Sequence, residues 1–123
     1  MKKVMASVAF QIALVVVVVA AVGGWWWLRA GTIPPSDARA LVNAGARLVD
    51  VRTPQEFSEG HLEGAVNIPV RDIEARLGEL GDKQGSIVLY CRSGARSAKA
   101  KTLLESHGFT RVVNLGAMSS WPR

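Results

Sequence analysis

The stretch IVLYCRSGARSAKA, residues 87–100, holds the only cysteine of the 123-residue chain, with Arg92 beside it and Arg96 five positions on. A thiol attacks as thiolate, and its pKa falls below about 8.5 at a helix N-terminus or beside cations. The flanking residues predict that setting. Residues 86–90, SIVLY, form an uninterrupted β-branched run suited to a central parallel strand buried on both faces. From Ala95 to His107 the pattern is helical, with Ala100, Leu103 and Leu104 on one face, Lys99 and Lys101 on the other, and Gly108 as the stop. Gly94 permits the turn between them, so the free loop N–H groups and the positive helix end make an anion cradle around Cys91. Arg92 and Arg96 add donors for an anionic substrate, and the Ser93 and Ser97 hydroxyls can join them. The rival reading of Cys91 is a small hydrophobe that ends a strand.

Other elements are needed to hold that loop. Thr32-Ile33-Pro34-Pro35 reads as a linker, and Ser36 or Asp37 as the cap of a helix through Ala44 with Ala40, Leu41 and Ala44 on its inner face. Residues 47–51 and 65–69 are short apolar runs that predict strands. A polar loop with one helical turn near Pro54–Ser58 joins them. Ile73, Leu77 and Leu80 predict a helix over 71–80, and residues 110–115 a last strand before Trp121, which reads as core packing or a lid. Strands alternating with helices imply a small α/β sheet, parallel, with helices on both faces. Ligands of such sheets sit beyond the carboxyl ends of the strands, where Cys91 falls.

The first thirty residues do not belong to that core. From Val4 to Leu28 the chain is almost wholly apolar, and as a helix it would reach about 37 Å, against about 30 Å for a hydrocarbon core. Trp25, Trp26 and Trp27 followed by Arg29 fit an interfacial belt. The segment is therefore expected to be a transmembrane helix, with residues 1–31 the anchor and 32–123 the folded domain. A signal peptide cleaved near Ala21-Val22-Gly23 is the alternative. Lys2 and Lys3 favour an N-in orientation, which puts the domain on the outer side of the membrane.

The formal charge of +5 dissolves on division along the chain. Residues 1–29 hold three basic side chains and no acid, and the remainder carries twelve basic against ten acidic. That balance, with only four aromatics after residue 29, does not make a nucleic-acid surface. One cysteine and two distant histidines do not make a metal site.

Asp50-Val51-Arg52, Glu56-Phe57, Gly60-His61, Gly64-Ala65, Asn67-Ile68-Pro69, the cysteine loop and Gly108-Phe109 follow one another in an order that resembles the single-domain rhodaneses. These are the thiosulfate sulfurtransferases, and the likeness is to their membrane-anchored or exported bacterial members. It spans residues 33–121. The resemblance implies a rhodanese-like domain in which Cys91 is catalytic. It takes a sulfane sulfur from a small anionic donor such as thiosulfate, as a persulfide, and passes it to a thiol or cyanide-like acceptor, with no cofactor. Arg92, Ser93, Gly94, Ala95, Arg96 and Ser97 would bind the substrate. Asp50 and Arg52 are expected to pair and support the site, the plain structural ion pair being the simpler role, and His61 to make backbone hydrogen bonds. Cysteine phosphatases on a similar fold use a longer Cys-x5-Arg loop, whereas Arg96 gives Cys-x4-Arg, a loop sized for sulfur. A persulfide carrier or protein-binding module with little turnover is the alternative function.

Overall fold

The computed structural model describes residues 31–123. The expected anchor, signal sequence and membrane contact of residues 4–28 lie outside the described residues, among which no helix is long and apolar enough to cross a membrane.

Strand β3, Ile87–Cys91, is buried at every position, as its unbroken apolar sequence requires. Alternation sends Ile87, Leu89 and Cys91 into one core and Val88 and Tyr90 into another. β3 pairs in parallel with β1 (Arg47–Asp50) and with β4 (Val112–Ala117), and β1 pairs in parallel with β2 (Val66–Asn67), giving the order β2-β1-β3-β4. Each strand runs shorter than or displaced from the sequence expectation. Cys91 is itself the last residue of β3, and β4 continues to Ala117.

Helices cover both faces. Helix α1, Pro35–Asn43, packs Ala38, Leu41 and Val42 onto the core that holds Val88 and Tyr90, with Trp121 and Met118 closing its edge. The expected inner face was Ala40, Leu41 and Ala44, but Ala40 and Ala44 are exposed. The cap also differs. The helix begins at Pro35, whose missing N–H costs nothing at the first position, so Ser36 and Asp37 lie inside the first turn and neither side chain caps. Thr32-Ile33 is no free linker, since the Ile33 N–H donates to the Asn114 carbonyl at 2.9 Å, on the free edge of β4.

On the opposite face, helix α3 (Ala95–Ser106) buries Ala100 and Leu104 against Leu89, Val49 and Phe109, with Leu103 partly buried. The helix expected over 71–80 is instead two short 3-10 segments, Val70–Asp72 and Glu74–Leu80, kinked at Arg76. Leu77 and Leu80 share a face as i and i+3 of a 3-10 turn, and with the kink at Arg76 before them Ile73, four residues ahead of Leu77, reaches the same core. Between β1 and β2, helix α2 (Pro54–Glu59) is one residue longer than the predicted turn.

Candidate active site

Three residues, Arg92, Ser93 and Gly94, join the buried end of β3 to the start of α3. Gly94 has φ +100°, a left-handed conformation that side-chain-bearing residues rarely adopt, and it turns the chain back over Cys91. Its N–H donates to Cys91 Sγ at 2.9 Å, and the Ser97 hydroxyl lies 3.4 Å from the same sulfur. Ser97 Oγ is also 3.1 Å from the Gly94 carbonyl. One hydroxyl proton serves one acceptor at a time, so Ser97 can turn from carbonyl to sulfur as the thiol ionises. Burial pushes the Cys91 thiol up. The Ser97 hydroxyl and the N–H groups of Ser97, Gly94 and Ser93 outweigh it and hold the pKa below the ordinary value. The sulfur is thus a buried acceptor inside a ring of donors, which is the electrostatic complement of a thiolate.

The two arginines of the loop part company. Arg92 is exposed. Arg96 instead makes a two-pronged pair with Glu56, Nη1 to Oε1 at 2.6 Å and Nη2 to Oε2 at 3.0 Å. Glu56 is fixed in turn by a capping box: its carboxylate accepts from the Thr53 N–H at 3.2 Å, and the Thr53 hydroxyl accepts from the Glu56 N–H at 3.2 Å. Thr53-x-x-Glu56 is a readable cap signature, but nothing local ties Glu56 to an arginine forty residues on. Arg96, expected to bind the anion, thus also braces the first turn of α3 to α2.

Arg96 holds the Glu56 carboxyl down at about 2 from 4.5, with the Thr53 backbone as the next cause. The depressed value means that Glu56 contributes stability above its ordinary pKa and loses it as pH falls from 4.5 towards about 2. A partly exposed pair of this kind contributes about 1 kcal/mol or less. Glu56→Gln should therefore unfold at a slightly lower urea midpoint near neutrality, and lose less than the parent between about pH 5 and about pH 3. Equal losses in both proteins over that range would remove Glu56 from the acid sensitivity.

Asp50 and Arg52 meet beneath the loop. The fully buried Asp50 carboxylate accepts from Arg52 Nε at 3.0 and 3.1 Å, from Nη2 at 2.7 Å and from the Arg52 backbone N–H at 2.9 Å. Arg52 Nη2 continues to the Gly60 carbonyl at 2.6 Å, and its guanidinium stands 5.9 Å from the centre of the Tyr90 ring. Asn67 ties the backbone carbonyls of Asp50 and Arg52 together, at 3.0 and 2.9 Å, and the Tyr90 hydroxyl accepts from the Leu62 N–H at 3.1 Å. This network touches Tyr90, the residue before Cys91, rather than the sulfur. His61 stays outside it. Its Nδ1 lies 2.8 Å from the Phe57 carbonyl, its ring stacks on Phe57 at 3.6 Å between centroids, and the side chain is exposed.

Known proteins share this arrangement of sequence and fold. The family model of the rhodanese-like domain matches residues 34–123. Thiosulfate sulfurtransferase PspE of Escherichia coli is 35% identical over 78 residues, covering 63% of this chain and 75% of that protein. A sulfurtransferase of Allochromatium vinosum is 43% identical over 77 residues, covering 62% and 71%. Among solved structures, the human single-domain sulfurtransferase TSTD1 superposes with a TM-score of 0.65 at 31% identity, over 73% of this chain and 93% of that one. With the parallel sheet, the cysteine at the end of its central strand and a family match over nearly the whole described region, the chain belongs to the rhodanese-like domain family.

Proposed function

We propose that the chain is a thiosulfate sulfurtransferase working through a persulfide on Cys91. The observation that carries this reading is the ring of donors on Cys91 Sγ, with Gly94 N–H at 2.9 Å and the Ser97 hydroxyl at 3.4 Å. The thiolate attacks the outer sulfur of thiosulfate, the bond between the two thiosulfate sulfurs breaks, and its electron pair leaves with sulfite. The terminal sulfur of the persulfide keeps a negative charge, which the loop N–H groups from Arg92 to Ser97 would hold. A thiolate or cyanide then attacks that terminal sulfur, and the Cys91 thiolate is released as the leaving group. No proton donor is needed in either step. Exposed Arg92 meets the anionic donor, and Arg96 supplies field while Glu56 holds it.

Burial of Cys91 favours a second reading, a persulfide carrier or protein-binding module that delivers sulfur to a docked partner and turns over slowly alone. Intact mass after incubation with thiosulfate separates these from a chemically silent domain. Gain of one sulfur atom on Cys91, faster as pH rises towards the lowered thiol pKa and level above it, is the expected result. No gain of sulfur, and no thiocyanate with cyanide, would sink both readings. Single loading with poor turnover on every small acceptor would select the carrier.

For the N-terminal segment the proposal is a single-pass inner-membrane anchor, or an export signal, with the domain on the periplasmic side. The support is the length of the apolar run, its tryptophan belt and the lysines before it. A reporter fused after Arg123 that works only in the cytoplasm would overturn it.

A further inference from the structure

Strand β4 is irregular where it passes the cysteine loop. Leu89 stands opposite Asn114 but Tyr90 stands opposite Gly116, so Leu115 is an inserted residue and β4 carries a bulge. The buried Asn114 side chain closes it, its Oδ1 accepting from the Gly116 N–H at 2.8 Å. Gly116 has φ +91°. Such bulges re-aim backbone next to functional sites.

What the bulge aims at is the loop. A Cβ placed on Gly94 would come 3.3 Å from Gly116 Cα and 3.7 Å from its carbonyl carbon, so the two glycines meet backbone to backbone. On the other side, a Cβ on Gly116 would come 3.1 Å from Thr32 Cγ2, and the next residue, Ile33, donates its N–H to the Asn114 carbonyl at 2.9 Å. The first residues of the domain, the bulge, Gly94 and Cys91 Sγ thus form one contiguous stack.

We propose that Gly116 is a positioning residue for the cysteine: its bare, left-handed backbone in the β4 bulge sets the height of Gly94, and through it the N–H that meets Cys91 Sγ. Thr32 is the back wall of that device. The proposal deepens the sulfurtransferase reading but requires only that Cys91 ionise in its ring of donors. A Cβ at Gly116 would press on the Thr32 methyl at 3.1 Å and is strained at this φ. That strain and contact push the bulge, and Gly94 against it, out of place.

The test follows the ultraviolet thiolate absorbance of the full chain against pH, an assignable signal because Cys91 is the single cysteine. Gly116→Ala should move the midpoint upward by about one pH unit, leaving about tenfold less thiolate below both midpoints. Thr32→Ser in the same background, which deletes the opposing methyl and keeps the hydroxyl, should recover part of the shift. A folded Gly116→Ala whose melting temperature falls while its thiolate midpoint stays put would show the bulge to be structural only and overturn the proposal. If Gly116→Ala loses its cooperative melt, Asn114→Ala, which adds no atoms, gives the same reading: an upward midpoint supports the proposal and an unchanged one overturns it. Because the readout does not involve sulfur transfer, a protein that takes no sulfur from thiosulfate yet shows the shift retains the positioning role and loses only the proposed function.

Discussion

Arg52→Ala should destabilise the domain by about 3–5 kcal/mol, against total stabilities of about 5–15 kcal/mol for domains of this kind. The cost arises from what is left behind. Asp50 is fully buried, and the Arg52 side chain gives three hydrogen bonds to its carboxylate. Without them the carboxylate at the end of β1 keeps only neutral donors, the backbone N–H of position 52 and the Tyr90 hydroxyl, and the Gly60 carbonyl loses its donor as well. Arg52→Lys should recover only part of the loss, because one ammonium cannot reproduce a planar fork that reaches both carboxylate oxygens and a third acceptor. Urea unfolding gives the measurement, and a loss under about 1 kcal/mol for Arg52→Ala would mean that water reaches Asp50 when the arginine is gone. Sulfur loading should fall with the folded fraction and no further, since the network contacts Tyr90 and not the Cys91 sulfur.

The difference between this network and the Glu56–Arg96 brace marks what sequence could reveal. Asp50 and Arg52 are two apart at a strand end, so their pairing is a local matter and their residue types alone raise it. The brace joins a helix cap to a loop forty residues away. Thr53-x-x-Glu56 signals the cap, but a capping carboxylate ordinarily faces solvent, and no pattern announces that Arg96 will arrive there. Strand β3 and helix α3 were legible because apolar runs and 3.6-residue spacing map directly onto burial on a parallel sheet. Residues 71–80 were misread for the same reason. Periodicity reports which side chains share a face, and Ile73, Leu77 and Leu80 do share one, yet a kinked 3-10 path satisfies that as well as an α-helix does. The β4 bulge had a weak signal in Gly116, since glycine inside a strand marks a bulge or a close backbone approach. Its partner Gly94 could be supplied only by the fold. Local chemistry was therefore visible, and the contacts that orient it across the chain were not.

Those orienting contacts matter because they converge on one sulfur atom, and Cys91→Ser is the substitution that isolates it. Sulfur loading from thiosulfate should fall by more than about a thousandfold, because an alcohol in the same cradle is neither ionised at neutral pH nor thiophilic. The fold should survive with a loss of about 1 kcal/mol, since serine Oγ can still accept from the Gly94 N–H and the Ser97 hydroxyl. Cys91→Ala separates geometry from chemistry in a different way. It is equally inactive, but it leaves the Gly94 N–H aimed at nothing in a buried site, at a cost of about 1–3 kcal/mol. Serine should therefore be the more stable of the two inactive proteins, an inversion of the usual preference for alanine in an apolar surround. If alanine proves the more stable, the ring of donors does not need an acceptor, and the loop is not a preorganised thiolate cradle. Covalent sulfur on the serine variant would be still more damaging, because with Cys91 gone the chain has no other thiol to carry a persulfide.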